Sequence, residues 1–524
     1  MSVVRLMGIE TEYAIASESS NNPIALSYEL VEAAASAAPA PVRWDYRPED
    51  PVNDARGYHL PRASARPDML TDSPELRTTN VVAGNGGRIY VDHAHPEYSS
   101  PEVKSPRQVI AYDRAGDLLM QEAAENASRA TGHRISIYRN NTDGKGSSWG
   151  AHESYQMRRS VDFMTVAGLM ELHFATRQIY TGAGRVGLGE GTERGEVTPG
   201  YQLSQRADYF HARIGLQTTF DRPIVNTRDE SHSTAEFRRL HVIVGDANRM
   251  DVPEFLKMGV TSLVIWLAEN AESAGFDLNG FMAAHALKDP VAALQGISHD
   301  LTLGAEWDTE SGAKTTAWQT QVALRSAIYE VAAAVFGTDS TGEPLWPDAP
   351  TREVIQIWGE VLALLARVRH ESDEERLSDT DAASNLEWLL KWQILEGLRR
   401  RKKTQWDAPL LKAVDLRWAD CNPAASVFTK LRSRTRRLVS DEDILAARRA
   451  PENTRAWLRA QMIREFPGDI VAAGWKQIAV RTQDGSIATL DMSDSERFTR
   501  ERVSDALDEA STAMEVLRLL GGKQ

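Results

Sequence analysis

Apolar and polar positions alternate most clearly near the start of the chain. The stretch VVRLMGIETEYAIAS reads as a β-strand in which Glu10 and Glu12, two residues apart, point to one face. Flanked by Met7, Ile9 and Tyr13, these carboxylates are costly to bury unless a cation or hydrogen bonds compensate. RIYVDHAHPEYSS (88–100) carries the same conflict: Ile89, Tyr90 and Val91 favour a strand, and Arg88, Tyr90 and Asp92 fall on one side of it. Pro96 is expected to break the ladder and swing Glu97 into a turn, with His93 and His95 opposite Asp92. Further strand patterns occur in RISIYRNN (134–141), AHESYQMRR (151–159), RPIVNTRD and RRLHVIVGD.

A helix is expected to begin between Asn22 and Leu30, and SPRQVIAYDRAGDLLMQEAAENASRA is amphipathic, with Ser105 as its cap and Pro106 as its first residue. Helical spacing recurs over 161–181, 252–271, 317–336 and 351–370. Antiparallel-looking strands with segregated helices predict an α+β fold, not regular βαβ alternation, and no internal repeat is visible. Between 38 and 80 a polar, proline-rich tract containing WDYRPEDPVNDARG lacks periodicity and is expected to be a long mobile loop. Towards the end, a charged helical segment leads into GWKQIAVRTQDGSIATLDM, whose QDG marks a turn between two short strands. Residues 1–435 are therefore expected to form a catalytic domain and 436–524 a small C-terminal domain.

Composition narrows the function classes. The 524 residues suffice for one large domain and a smaller one, and 42% apolar with 26% charged residues is ordinary for a globular protein. A single cysteine, Cys421, excludes an internal disulfide and a thiolate cluster, and points to a reducing cytoplasm. The N-terminus has no leader pattern, and the longest apolar run, near VTSLVIWLAE, is too short to span a bilayer, so no membrane partner is expected. A net charge of -14 argues against general nucleic-acid affinity.

Several familiar motifs fail on context. GAGRVG (182–187) has GxGxxG spacing but follows a helical pattern, and DGKGSS lacks the first glycine of a Walker A loop. The positive signal is distributed over Glu10, Glu12, Asp92, Glu97, His152, Glu153, Asp229, His241 and Asp246, all on or beside expected strands. Carboxylates with one or two imidazoles suit hard cations such as Mg²⁺ or Mn²⁺, and Arg88, Arg228, Arg238 and Arg239 offer forks for phosphate oxygens. Together they describe a metal–nucleotide site.

GIETEY, RIYVDHAHPEYSSPE, RNNTDGKGSSWGAHESY, LSQRADY and RPIVNTRDESH followed by RRLHVIVGDAN resemble the Pup ligase/Pup deamidase family, relatives of glutamine synthetase and glutamate–cysteine ligase. The resemblance runs from about residue 5 to beyond 475. The long tract around WDYRPEDPVNDARG and the wording YVDHAHPEYS resemble the deamidase branch more than the ligase branch. The implied fold is a glutamine synthetase-like domain with a curved, mainly antiparallel sheet, plus a small C-terminal domain that contributes to the nucleotide site. The implied activity is hydrolysis: the C-terminal glutamine of the small protein Pup becomes glutamate, and Pup is released from lysines of pupylated proteins.

The resemblance also implies roles, residue by residue. Glu10, with Glu12 as second candidate, Tyr90, Glu97, His152 and His241 match metal positions. Arg88, Ser100, Arg239 and Trp475 match positions that hold ATP, and Asp92 matches the catalytic aspartate, as general base or as nucleophile. Arg206 is a candidate oxyanion stabiliser, and Arg206, Arg213 and Arg228 are candidates for contact with acidic Pup. The alternatives are the sister ligase, a small-molecule carboxylate–amine ligase, and a nonenzymatic Pup-binding protein.

Overall fold

The computed structural model describes residues 4–37, 42–65, 80–192 and 197–521. At its centre lies a six-stranded antiparallel sheet in the order Phe237–Val242, Ala151–Arg158, Met7–Glu12, His95–Ser99, Arg88–Asp92, Asn80–Val82. Directly opposed residues on neighbouring strands point to the same side. The pairings of Tyr90 with Glu97, Glu97 with Glu12, Ser99 with Glu10, Glu10 with His152 and Ser154 with His241 therefore bring the polar residues of five strands onto one face. Met7, Ile9, Tyr155 and Met157 alternate to the other face, in the large core that the Pro106–Thr131, Phe163–Thr176 and Asp251–Asn270 helices share.

The helices start where local chemistry predicts. Ser105 caps Pro106–Thr131 by accepting from Gln108 N, and Gly132, in the left-handed region at φ 77°, ends it. Gly116 in this helix lies where any Cβ would run into the Tyr98 ring, so its glycine lets the helix sit against the sheet. The remaining expected helices are Asp251–Asn270, Ala317–Phe336 and Ala349–Val368, while the 161–181 segment divides into Phe163–Thr176 and Gln178–Thr181. GAGRVG connects that short helix to the Arg185–Leu188 strand, the reverse of a dinucleotide-binding order. Two expected strands lie outside the central sheet: Ile135–Tyr138 pairs with Ala14–Ser17, and Arg222–Asn226 pairs in parallel with Phe210–Gly215. Among the described residues no helix is long and apolar enough to cross a membrane.

A second sheet has the order Ile487–Asp491, Gln477–Arg481, Ile470–Ala473, Arg43–Trp44. Its core joins Val42 and Trp44 to Leu458, Met462, Ile478, Phe498 and Val516. The boundary expected at 436 is displaced: Leu438, Val439, Ile444 and Ala447 pack into the large core, because the Asp441–Ala446 helix lies on Pro106–Thr131. The tract expected to be a mobile loop over 38–80 also differs from a free loop. Residues 42–65 are built into the protein, while 38–41 and 66–79 lie outside the described residues. Arg43–Trp44 completes the second sheet, Asn53–Asp54 and Tyr58–His59 form a small hairpin, and Asn53 Nδ2 donates to Asp229 O at 2.8 Å. Asp50 N donates to Glu230, and Thr227 Oγ1 to Asp54 at 2.7 Å.

Candidate active site

The polar face of the large sheet floors a cavity of about 210 Å³, whose lining includes Glu10, Glu12, Arg88, Tyr90, Asp92, Glu97, His152, Arg239, His241 and Trp475. Pro96 does not end the strand. It lies inside His95–Ser99, its carbonyl accepts from Tyr13 N at 3.0 Å, and the chain turns earlier, at His93 with φ 51° and Ala94. RIYVDHAHPEYSS is thus a tight hairpin, in which Asp92 faces His95 and Tyr90 faces Glu97. The turn corrects the expectation for His95: it shares the Asp92 face, lines the cavity, lies 3.3 Å from Glu12 and stacks on Trp149 at 4.6 Å. His93 Nδ1 lies 3.0 Å from the Asp92 carboxylate.

Two donor groups converge on this face: carboxylate oxygens of Glu12, Asp92 and Glu97, and ligand atoms of Glu10, His152 and His241, each set lying within 4.8 Å. Asp92, read from sequence as separate from the metal residues, therefore belongs geometrically to the first set. Burial, then the charges of Asp92, Glu10 and Glu12, push the Glu97 carboxyl well above its ordinary range. Burial would raise Glu12 as well, but His95, His152 and the Gly150 N–H outweigh it and hold that carboxyl at about 2. Glu10 is likewise held at about 2, because the His152 hydrogen bond and the Arg239 and Arg228 charges overcome burial.

Both sets fit divalent cations on their own chemistry. Glu97 Oε1 and His241 Nδ1 are buried without a hydrogen-bond partner among the described residues, a costly condition that a coordinated ion removes. Burial, Arg239 and His152 push the His241 imidazole well below its usual value, leaving the neutral form that ligation requires. Gly150 keeps the two sets open, since a Cβ there would strike both the His152 ring and the Glu12 carboxylate.

Towards the second sheet the cavity meets an adjoining, more apolar one of about 100 Å³, lined by Met7, Gly8, Ile9, Ser100, Tyr155 and Trp475. Ser100 Oγ accepts from Ile9 N at 3.1 Å, and Trp475 meets Trp44 edge-on at 4.8 Å. Arg88 is enclosed by aromatic faces, its Cζ 3.8 Å from the Tyr90 ring centre, 4.6 Å from Trp44 and 5.2 Å from Tyr46. Asn80 and the Tyr46 hydroxyl accept from it at 2.6 and 2.9 Å. Arg239 lies 3.7 Å from Glu10 and 3.5 Å from Glu230. Tyr46 and Trp44 escaped sequence reasoning because they sit in the aperiodic tract, as does Glu49, which lines the cavity and accepts from Trp44 Nε1 at 2.6 Å.

Arg206 lines the cavity, buried, and donates to the Ile243 and Gly245 carbonyls. Arg222, the first residue of RPIVNTRDESH, donates to Thr218 O at 2.9 Å and Ser148 O at 2.7 Å. Burial and the neighbouring Arg222 pull Arg206 down to about 9. Arg228 lines the same cavity. Four other residues from the distributed signal serve the framework. Glu153 is on the opposite face, bound to Arg177 at 2.6 Å, and Asp229 pairs with Arg159 at 2.5 Å. Asp246 accepts from Ala183 N, Gln205 N and Ser204 Oγ, and Arg238 packs 5.6 Å from the Phe163 ring. Arg213 pairs with Glu171 at 2.9 Å, away from the cavity lining.

The sheet face thus carries two donor sets that fit divalent cations, beside an adjoining apolar cavity. The model of the Pup-ligase protein family matches residues 5–479, and the chain belongs to that family. It is 40% identical to a depupylase of Acidothermus cellulolyticus, over 99% of each chain. Identity to a Pup deamidase/depupylase of Mycolicibacterium smegmatis is 38%, over 98% of this chain and 99% of that one. A Pup–protein ligase of Jonesia denitrificans is 37% identical over 74% of this chain and 80% of its own. Among solved structures, the complex of Pup with its ligase PafA superposes with a TM-score of 0.74 at 24% identity, covering 99% of this chain and 95% of that one, which shows the shared α+β fold. PafA in complex with ADP gives 0.68 at 27% identity over 84% and 90%.

Proposed function

We propose that the chain is an ATP- and divalent-metal-dependent amidohydrolase that deamidates the C-terminal glutamine of Pup and cleaves Pup from the lysines of pupylated proteins. One observation carries this reading: Asp92 shares a donor set with Glu12 and Glu97 on the sheet face that also carries Glu10, His152 and His241, in a chain matched to depupylases over 98–99% of its length. Glu12 and Glu97, with Tyr90 beside them, would hold one Mg²⁺ or Mn²⁺, and Glu10, His152 and His241 another. Arg88, Arg239, Ser100 and Trp475 would hold ATP, the last from the small C-terminal domain. When bound, the cations would supply positive charge that neutralises the crowded carboxylates and polarises the scissile carbonyl.

The protein's own groups do the rest. Asp92, its side chain 16% exposed at the cavity, either takes a proton from water or attacks the δ-carbonyl itself. Arg206 and Arg222, held by backbone carbonyls, aim fixed positive charge at the oxygen on which negative charge grows. The C–N bond breaks and nitrogen leaves as ammonia or lysine amine after gaining a proton; the water oxygen ends in the new carboxylate when Asp92 acts as base, and in either that carboxylate or the Asp92 carboxylate when an anhydride is hydrolysed. A cytoplasmic setting agrees with the lone cysteine, buried Cys421.

Incubation with Mg²⁺, ATP and Pup ending in glutamine, then with a Pup–lysine conjugate, tests the reading by mass. Cleavage of neither bond, or full activity in Asp92→Asn, sinks it; conjugation of Pup with stoichiometric ADP release would instead identify a ligase. Label found in the Asp92 carboxylate after a single turnover in ¹⁸O-water identifies direct attack, because general-base catalysis places the label only in the product.

A further inference from the structure

We propose that His232 is a nucleotide-contacting residue that donates a hydrogen bond to the phosphate next to the ribose; this rests on the reading of the twin cavity as an ATP site. Four residues line both the apolar cavity and the metal-side cavity: Glu10, His232, Arg239 and Trp475. They mark the neck through which a nucleotide would pass from base to phosphates. His232 occupies the neck at a conformational cost. Its φ of 48° is in the left-handed region, which a residue with a Cβ rarely adopts outside turns and functional sites.

The surrounding structure holds that conformation from both sides. From the second sheet's side, Arg455 Nη1 donates to the His232 carbonyl at 2.6 Å, and Ser493 O accepts from Ser233 Oγ at 3.3 Å. From the large sheet, Gln156 Nε2 donates to Ser233 Oγ at 3.0 Å. The side chain is 11% exposed, with Nε2 4.0 Å from Glu230. Burial and then the cations Arg239, Arg455 and Lys476 keep the imidazole neutral, so it offers one N–H donor and one acceptor. Three cations around a neutral donor favour an anion over a hydroxyl, and the α-phosphate is the anionic group nearest a base seated in the apolar cavity.

Calorimetric titration of the full chain with ADP and with adenosine, both with Mg²⁺, tests this without any turnover. His232→Asn keeps a side chain that tolerates the left-handed region but is too short to span the neck. The expected result is ADP binding weakened about 10- to 100-fold, adenosine binding changed less than about 2-fold, and an apo melting temperature within about 2 °C of wild type. If the variant melts lower, His232→Gly, free of backbone strain, is read in its place. Unchanged ADP affinity, or an equal loss for adenosine, overturns the phosphate contact. Failure of the wild type to bind ADP would overturn the nucleotide-site reading itself.

Discussion

Replacing Glu102 by glutamine removes the carboxylate that receives two arginines of the small domain. Arg455 Nε donates to it at 2.5 Å and Arg459 Nη2 at 2.6 Å, and these guanidiniums are 6% and 0% exposed. Burial would raise the Glu102 carboxyl, but Arg459 and Arg455 overcome it and hold it at about 2 against an ordinary 4.5. That depression corresponds to about 3 kcal/mol at neutral pH, the size expected when one partner of a buried pair is removed. Because the folded value lies below the unfolded one, the contribution is complete above about pH 4.5 and is lost as pH falls through about 2. Hydrogen exchange read by mass spectrometry should show protection of the Ala456–Glu465 helix falling roughly 100-fold in Glu102→Gln at pH 7. Protection of Pro106–Thr131 should remain, and the difference between variant and wild type should shrink as pH drops from 4.5 towards 2. Unchanged exchange in the helix, or a difference that ignores pH, would refute the claim that Glu102 ties the two sheets together.

Gly150→Ala should abolish activity while lowering the melting temperature by only a few degrees, since its Cβ meets the side chains of both donor sets; preserved Mn²⁺ binding would contradict the described geometry. His241→Ala should weaken Mn²⁺ binding by roughly 10- to 100-fold in calorimetry, whereas Glu153→Gln, on the other sheet face, should lower thermal stability with Mn²⁺ affinity intact. Equal effects of the two on the metal would show that the assignment of faces is wrong.

Period-2 alternation made Glu10, Glu12, Tyr90 and Asp92 legible as a polar face, because strand geometry leaves each residue only two sides. The same alternation would have separated Glu153 from His152, since adjacent residues oppose one another. What alternation cannot supply is the place where a strand turns back. Pro96 looked like a terminator, yet its missing N–H costs no ladder bond at a position whose carbonyl alone is used, so the turn fell at His93–Ala94 and carried His95 onto the active face. Asp229 and Asp246 attracted notice as charges, but only coordinates reveal that Arg159 and backbone amides already satisfy them. Of the residues missed, Trp44, Tyr46 and Glu49 lack any periodic signal, being placed by long-range packing, whereas Arg222 opens an expected strand whose pattern says nothing of what its guanidinium meets.

The two-residue strand Arg43–Trp44 gives the small domain a consequence in time as well as space. Its parallel partners are Ala472 and Ala473, so this edge stays unpaired until those residues have been synthesised. At ordinary translation rates the about 430 intervening residues take roughly 20–90 s to emerge. During that interval Trp44, which in the finished fold meets Trp475 edge-on, lacks that ring and its strand partner, so this wall of the Arg88 cage is unsupported. A ribosome-bound chain should thus assemble its large sheet early, the wall around Trp44 closing only once residues 470–491 have emerged.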